Sequence, residues 1–403
     1  MTGGFSEVSR RRLLTGGALV AGAALAGAAV GAAATAPDDR SAVPAADLGG
    51  EFEPFIGAHQ AGIVTVAQAH AAFVAFDLRD GVDRAALARL MRLWTDDAAR
   101  LTRGEAALAD TEPELAAVPA RLTVTFGFGP GVFRAAGLEH LRPPAVAALP
   151  PFPIDRLERA WSDGDLLVQI CADDPLTVSH AQRMLVKDAR PFCSVRWVQS
   201  GFLDRRGVRA VGETPRNLFG QVDGTVNPSP DVFDQAVWVS EGPDWLRGGT
   251  TVVIRRIRLD LEGWDLLGRA ERELVIGRRL DNGAPLTGRK EHDPPDFTAT
   301  DEHGLPVIPE FAHIRRAHVG DERLRILRRS YNYDLPPAAD GTADAGLIFV
   351  SYQADVERQF LPIQRRLAEL DMLNRWTTPI GSAVFAVPPG CAPDGWIGDR
   401  LLG

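Results

Sequence analysis

Two stretches of the chain, about half its length apart, show the same order of apolar strand, polar turn and amphipathic helix. Residues 166–171 and 347–352 are apolar runs typical of buried strands. Each run is followed by an Asp (Asp173 or Asp355) and, nine residues later, by a Gln-Arg pair, so the matched positions differ by 182. This offset predicts two related α+β halves. Antiparallel sheets with helices on one face are favoured over a parallel βαβ sheet, because no Gly-rich nucleotide loop opens a helix.

Composition and charge exclude several classes of protein. Of the 403 residues, 45% are hydrophobic and 24% are charged, which is typical of globular domains and argues against disorder or a multi-span membrane protein. The net charge is −9 and there is no long basic run, so we expect no nucleic-acid partner. The three cysteines form neither a CxxC pair nor a CxxCH motif, which argues against a zinc site and against covalently attached haem.

The first 36 residues differ from the rest of the chain. Their only charges are Glu7 and the arginines at 10–12, and an uncharged Ala/Gly-rich stretch then runs to an Ala-Thr-Ala sequence before Pro37. This order is typical of a cleavable export signal, and residues 9–14 (SRRRLL) resemble the twin-arginine type. An uncleaved anchor is the alternative, but Ala and Gly contribute little membrane-transfer energy.

We therefore predict a twin-arginine-type signal peptide over residues 1–36 and a flexible leader over 37–50, rich in Ala, Asp and Pro. The mature protein would be periplasmic or secreted. It would have no stable membrane span after the signal is cleaved.

Residues 313–318 (HIRRAH) are one candidate for chemistry. Arg315 and Arg316 lie within three residues of His313. Such a cationic neighbourhood suits a divalent metal poorly, but it suits a cofactor that carries its own carboxylates. The alternative is an ordinary surface histidine or a hydrogen-bonded core histidine.

Two further segments carry polar groups in apolar surroundings. Residues 220–224 (GQVDG) bracket Asp223 with glycines, which allow a sharp backbone bend. A surface turn is the alternative, but the apolar neighbours Phe219 and Val222 favour partial burial of the carboxylate. Residues 327–333 (LRRSYNY) predict a strand, on which only one of Arg328 and Arg329 can face a given pocket.

These segments resemble the dye-decolorising (DyP-type) haem peroxidases. The GxxDG signature at 220–224 is followed in that family's order by IGR at 276–278, GAPL at 283–286, HIR at 313–315 and LRR at 327–329. The C-terminal segments FLPIQ (360–364), GSAVF (381–385) and PPG (388–390) are similar to the exported bacterial branch that includes deferrochelatase-like peroxidases. The HQAG sequence at 59–62 would open the first strand. The resemblance spans about residues 50–395.

The resemblance implies an α+β fold of two ferredoxin-like domains, of the dimeric α+β barrel type, with antiparallel sheets. We place the domains at residues 51–212 and 213–398, with haem between the sheet and the helices of the second. His313 matches the proximal ligand of the haem iron. Asp223 matches the distal aspartate that moves the peroxide proton, and Arg328 matches the distal arginine that stabilises negative charge on the departing oxygen.

The resemblance also implies further contacts with one non-covalent haem b per chain. Those positions are Gly224, Thr225, Val226, Arg278, Arg328, His318, Val319 and Gly320. We add Arg315 as a partner for a haem propionate. Two positions depart from the family pattern: Ser330 stands where glycine is common, and His318 stands where Asn, Ala or Pro is usual. His318 is therefore a second candidate for the axial ligand, although His313 occupies the HIR position.

The expected activity is oxidation of dyes and phenolic-type small aromatic donors by hydrogen peroxide. A carboxylate that moves protons works best when the pH is near its own pKa. This predicts that the activity is highest at roughly pH 3–5. One alternative is a haem-binding iron-acquisition protein, deferrochelatase-like, that acts with an iron-uptake system. The other is a haem-free binding module. The sequence is also compatible with assembly as a homo-oligomer.

Dyes are too large for a buried haem pocket, so the resemblance implies a relay through aromatic side chains. Core packing is the alternative for each of them. The candidates are Trp197, Trp238, Trp245, Trp264, Trp376, Tyr331, Tyr333 and Tyr352.

Overall fold

The computed structural model describes residues 49–210, 212–337 and 341–403. The predicted signal peptide and nearly all of the predicted leader lie outside these ranges. Within them, no helix is long and apolar enough to cross a membrane. All three cysteines are buried and free.

Nine strands form one antiparallel sheet in the described part of the chain. Eight of them follow the order β5-β9-β2-β3-β1-β4-β7-β8, and the short β6 pairs with β8. Strand β8 also pairs with β5, so the sheet closes into a barrel. The strands are His70–Leu78 (β1), Thr123–Phe128 (β2), Leu166–Ala172 (β3), Cys193–Phe202 (β4), Thr250–Leu259 (β5), Leu327–Arg328 (β6), Tyr331–Leu335 (β7), Asp344–Gln353 (β8) and Thr377–Val387 (β9).

The first half of the sheet is a ferredoxin-like unit. Its strand order is β2-β3-β1-β4, and its helices are Arg84–Leu101 (α1), Pro130–Ala135 (α2) and Pro175–Ala189 (α3). Asp83 and Asp174 cap α1 and α3 by accepting hydrogen bonds from first-turn N–H groups. Helix α1 buries Trp94, which stacks on Phe126 of β2 with ring centroids 5.3 Å apart. Two long helices therefore cover this half of the sheet closely.

The second half repeats this strand order as β7-β8-β5-β9, with the short β6 also paired to β8. The predicted fold of two ferredoxin-like units is therefore confirmed. The segments related by the 182-residue offset are equivalent, because β3 with α3 and β8 with α8 occupy the same place in each unit. The helices here are short: Phe233–Ala236 (α4), Leu261–Asp265 (α5), Arg269–Ile276 (α6), His313–Ala317 (α7), Leu361–Leu370 (α8), which follows a π-helical turn at Val356–Phe360, and Asp399–Leu402 (α9).

The two halves join through single residue pairs, Phe128 with Ala386 and Phe202 with Asn332. Aromatic side chains, including all three tyrosines, fill the barrel interior. The predicted boundary at 212/213 falls in the connection between β4 and β5, and it stays a prediction.

Two local expectations were wrong. Residues 59–62 lie in a loop, because the first strand begins only at His70. The continuous strand expected over residues 327–333 is broken at Arg329 and Ser330, which separate β6 from β7.

Candidate active site

A tight loop between β4 and β5 presents Asp223. Arg216 and Val222 form an isolated antiparallel bridge, and the Asn217 side chain accepts hydrogen bonds from two backbone N–H groups within the turn. Gly220 and Gly224 have φ values of +77° and +132°, which side-chain-bearing residues rarely adopt. The two glycines of the GxxDG motif therefore supply the bends that set the aspartate's position.

Arg328, at the end of β6, meets this carboxylate directly. Its Nη1 donates to Asp223 Oδ1 at 2.8 Å, and the Asn217 amide donates to Oδ2 at 3.3 Å. Asn227 holds the Arg328 backbone by accepting from its N–H and donating to its carbonyl. The side chains of Asp223 and Arg328 are 26% and 24% exposed. The structure thus brings the two predicted catalytic residues together as a fixed pair that small molecules can reach.

Arg329 has a different role from its neighbour. Its guanidinium is buried and donates to the Thr65 carbonyl and to the Gln68 side chain. Of the two adjacent arginines, Arg328 is the one that bonds to Asp223, and Arg329 fixes the loop before β1.

His313 begins α7 and is bonded to a carboxylate. Its Nδ1–H donates to Asp371 Oδ2 at 2.6 Å. Burial disfavours the charged form of His313 and by itself lowers its pKa. The negative charge and the hydrogen bond of Asp371 together outweigh burial, so the pKa of His313 is raised. The more remote charges have smaller effects, since Arg328 lowers this pKa and Asp223 raises it. The bond to Nδ1 leaves Nε2 as the nitrogen that can bind a metal. The sequence motifs did not predict Asp371 as a site residue, because it lies 58 residues from His313 and belongs to none of the motifs.

His318 lies in different surroundings. Its ring packs edge-on against Phe297, with centroids 5.0 Å apart, and its carbonyl accepts a hydrogen bond from Arg366. Burial lowers the pKa of His318, and the positive charges of Arg325 and Arg366 lower it further. These contacts favour His313 over His318 as the axial ligand.

Arg278 is buried beside the Asp223 loop. Its Nη1 donates to the carbonyls of Gly283 and Glu291 at 2.6 and 2.8 Å. Burial lowers the pKa of Arg278. The negative charge of Glu291 raises this pKa, whereas the positive charge of Arg328 lowers it further. The Thr225 hydroxyl donates to the Glu291 carboxylate at 2.8 Å. Arg278 and Thr225 thus lie near the distal pair, although both are bonded within the protein.

The remaining predicted haem contacts are more dispersed. Arg315 donates to the carbonyls of Phe297 and Ile308 and pairs with Glu310, so its guanidinium holds the preceding loop. Its role toward a propionate stays a prediction. Val226 is partly exposed, Val319 packs against the core beneath α8, and a side chain at Gly320 would meet open space.

The aromatic relay candidates are almost all buried. Trp376 is the exception among the eight, because it is partly exposed. It contacts the buried Trp264 edge-on at 5.4 Å, and Trp264 in turn lies 4.5 Å from Phe219 in the Asp223 loop.

A cavity of about 400 Å³ adjoins the distal pair. Asp223, Arg328 and Gly224 form part of its wall, and the loop at residues 63–67 forms another part. Within the described ranges, no cluster of three or more His, Cys, Asp or Glu side chains could hold a bare metal ion. The partly exposed His313, whose Nδ1 is bonded to Asp371 and whose Nε2 remains for a ligand, fits an iron that a macrocycle already coordinates.

Comparison with known proteins identifies the family. Residues 60–203 match the family described as Dyp-type peroxidase, N-terminal, and residues 214–392 match Dyp-type peroxidase, C-terminal. The chain belongs to the Dyp-type peroxidase family. It is a haem-dependent peroxidase, an oxidoreductase that acts on hydrogen peroxide.

Several relatives extend this finding. The chain is 41% identical to the dye-decolorizing peroxidase of Thermobifida fusca, over 82% of this chain and 81% of that protein. It is 38% identical to the deferrochelatase of Escherichia coli K12, over 99% of this chain and 98% of that one. A DyP-type peroxidase from Cellulomonas bogoriensis has the same fold, with a TM-score of 0.86 and 53% identity over 88% of this chain and 99% of its own. Ferric DtpA from Streptomyces lividans also has a TM-score of 0.86, at 44% identity over 90% and 100%.

Proposed function

We propose that Asp223 and Arg328 cleave the O–O bond of peroxide and that His313 would hold the iron of the haem. The haem would supply the redox chemistry that links the reduction of peroxide to the oxidation of donors. The observation that carries the proposal is the 2.8 Å bond from Arg328 to Asp223, two residues that line the wall of a cavity.

Each residue of the pair has a distinct task. The Asp223 carboxylate accepts the proton of the peroxide oxygen nearer the iron and returns it to the departing oxygen, which leaves as water. The Arg328 guanidinium stabilises the negative charge that builds up as the bond breaks. The side chains of Asn217 and Asn227 hold the pair in place before peroxide arrives.

The test is stopped-flow absorbance of the haem-loaded enzyme mixed with hydrogen peroxide. Asp223→Asn removes the proton acceptor, so the reaction with peroxide should slow by about 10²–10⁴-fold while the haem content is unchanged. Asp231→Asn, at an exposed position outside the cavity, is the control. An unaltered rate in Asp223→Asn contradicts the assignment.

We propose dyes and phenolic-type small aromatics as the donors, with dyes oxidised at the surface through Trp376 and Trp264. The name of the Thermobifida relative supports dyes as donors. The two aromatic contacts of Trp264, with Trp376 and with Phe219, support the path of the electrons. Trp376→Phe should lower kcat for a bulky dye several-fold and leave the rate with hydrogen peroxide alone unchanged. Equal dye turnover in the variant and the wild type would exclude this route.

Removal of iron from haem is a second candidate function. It is favoured by the deferrochelatase relatives, which match 99% of this chain. An iron-uptake system would then be the partner. Incubating the loaded protein anaerobically with a reductant should release iron and leave metal-free porphyrin, seen by its fluorescence. Intact haem under those conditions excludes the activity.

We also propose export by the twin-arginine route to the periplasm or the exterior, with cleavage after Ala36. The basic start, the uncharged stretch and the Ala-Thr-Ala sequence support it. Mass spectrometry of the exported protein should find Pro37 as its first residue. Assembly as a homo-oligomer is an expectation that light scattering of the purified protein would test.

A further inference from the structure

The chain on both sides of Asp223 is bonded to one distant carboxylate, that of Glu291. Its Oε1 accepts hydrogen bonds from two hydroxyl groups, that of Thr214 at 2.6 Å and that of Thr225 at 2.8 Å. Thr214 lies nine residues before Asp223, and Thr225 lies two residues after it. A single side chain from another part of the sequence therefore ties together the segments before and after Asp223.

The backbone beside Asp223 needs such a tie, because a glycine follows it directly. Gly224 has a φ of +132°, and glycine restricts the chain less than any other residue. Asp223 itself is bonded to the preceding segment, since its N–H donates to the Pro215 carbonyl at 2.9 Å. The bond from Thr225 to Glu291 fixes the chain on the far side of Gly224. The aspartate is thus held at a flexible point by contacts on both sides.

Glu291 ends a segment that also packs against the loop. Arg278 donates to the Gly283 carbonyl at 2.6 Å and to the backbone carbonyl of Glu291 at 2.8 Å, which joins the two ends of this segment. A Cβ at Gly283 would lie 3.0–3.2 Å from the side chain of Val222, so this glycine allows a close approach to the residue before Asp223. The IGR and GAPL motifs therefore build the support from which Glu291 reaches the loop.

The charge of Glu291 strengthens the tie. The side chain is 20% exposed, and its Oε1 lies 3.8 Å from Nε2 of the exposed His292. Hydrogen bonds from a hydroxyl to an ionised carboxylate are roughly twice as strong as those between neutral groups. A glutamine here would keep an oxygen acceptor of the same shape but would lose this charge assistance. An alanine would leave both threonine hydroxyls without their acceptor.

We propose that Glu291 is a positioning residue for Asp223, and that it serves the reaction with peroxide by holding the chain on either side of that carboxylate. A displacement of about 1 Å at a reacting group can cost about a hundredfold in rate. Glu291 therefore affects the step with peroxide and not the later step with the donor. This inference rests on the proposed role of Asp223 as the proton acceptor.

Hydrogen exchange followed by mass spectrometry tests the structural part. In Glu291→Ala the backbone N–H groups of residues 214–225 should exchange faster than in the wild type, because both threonine bonds are lost. Glu291→Gln should exchange at nearly the wild-type rate. Glu302→Ala is the matched control, since Glu302 also lies beside a histidine, His303 at 3.6 Å, but is 86% exposed.

Steady-state kinetics of the haem-loaded enzyme tests the functional part. For Glu291→Ala, kcat/KM for hydrogen peroxide should fall by about ten- to a hundredfold, with kcat/KM for a phenolic donor and the haem content unchanged. Glu291→Gln should recover most of this loss. Thr225→Val removes one of the two donors, so adding Glu291→Ala to it should cost less than Glu291→Ala costs alone.

The proposal is overturned if Glu291→Ala leaves either the exchange over residues 214–225 or kcat/KM for hydrogen peroxide unchanged. It is also overturned if kcat/KM for peroxide and for the donor fall equally, because Glu291 would then act through general stability. Should Glu291→Ala fail to fold, Thr214→Val and Thr225→Val each remove one bond and carry the same expectations.

Exchange does not depend on catalysis. An Asp223→Asn variant that keeps its rate with hydrogen peroxide therefore contradicts the proposed role of Asp223, while the exchange result still decides whether Glu291 holds the loop.

Discussion

Each ferredoxin-like unit contains one histidine bonded to an aspartate, and the two pairs differ in what surrounds the second ring nitrogen. In the first unit His180 Nε2 lies 2.8 Å from Asp110, with side chains 2% and 0% exposed, and Arg183 approaches the other nitrogen at 3.4 Å. In the second unit His313 Nδ1 lies 2.6 Å from Asp371, and the His313 side chain is 31% exposed. The bond is similar, but only His313 keeps a nitrogen that a ligand can reach.

The helices account for this difference. Helices α1 and α3 cover the first sheet along 18 and 15 residues, so His180 on α3 is enclosed. In the second unit a continuous helical segment over residues 356–370 matches α3, but the connection that corresponds to α1 contains only short helices, and α7 has five residues. His313 is the first residue of that short helix, and its side chain is less enclosed than that of His180. A histidine–carboxylate pair therefore lies within the packed interior of one unit, and in the other it orients the histidine that we propose as the haem ligand.

The largest expected effect separates the two histidines. His313→Ala removes the iron ligand, so the Soret band should be lost or strongly shifted. His180→Ala should keep the Soret band but leave Asp110 buried without its partner, which costs about 1–3 kcal/mol of unfolding free energy. Absorbance and thermal melting of both variants provide the measurement. An unchanged haem spectrum in His313→Ala contradicts the assignment.

The aspartates provide a second, smaller contrast. Asp371→Asn weakens the bond that orients the His313 ring, so haem affinity should fall by about 10–100-fold. Transfer of haem to apomyoglobin measures this. Asp110→Asn is the matched control, because it alters the His180 pair and should change the melting temperature only. Similar haem loss in both variants would mean that Asp371 acts through general stability.

The smallest effect concerns stability in the first unit. Burial, and then the neighbouring carboxylate of Asp97, raise the pKa of Asp188 to about 8. This folded-state pKa lies above the ordinary carboxyl value, so the folded protein favours the protonated form of Asp188. The contribution of Asp188 to the free energy of unfolding is therefore fully present below about pH 4 and is lost as the pH rises through 8. Thermal melting between pH 5 and pH 9 should show this fall, and each kcal/mol corresponds to roughly 2–4 °C.

Asp188→Asn mimics the protonated acid, so its melting temperature should depend less on pH over that range. The exposed neighbour of Asp97, Asp96, pairs with Arg100 at the surface, so Asp96→Asn should follow the wild type. A variant Asp188→Asn with the wild-type pH profile would show that this carboxyl does not control it.

Much of this architecture could be predicted from local signals in the sequence. Apolar runs mark β3, β5 and β8, and the 182-residue offset indicates the repeated topology. The glycines at 220 and 224 indicate the bend that presents Asp223, because the observed φ values require them. These features depend on residues close together in the chain.

Other features depend on contacts that no local pattern encodes. Asp371 reaches His313 across 58 residues, and Asn227 holds Arg328 across 101. Arg315 lies beside His313 in sequence, yet its guanidinium bonds to the loop that contains Phe297 and Ile308. The break between β6 and β7 arises where Arg329 turns to Thr65 and Gln68. Tertiary packing decides each of these.

We propose that His313 would hold the haem iron and that Asp223 and Arg328 act together on the peroxide. Absorbance of the purified wild-type protein during titration with hydrogen peroxide tests these roles most directly. We expect a Soret band that changes completely with an equimolar amount of peroxide, at a rate that Asp223→Asn reduces. A protein without a Soret band, or a band that excess peroxide leaves unchanged, would contradict it.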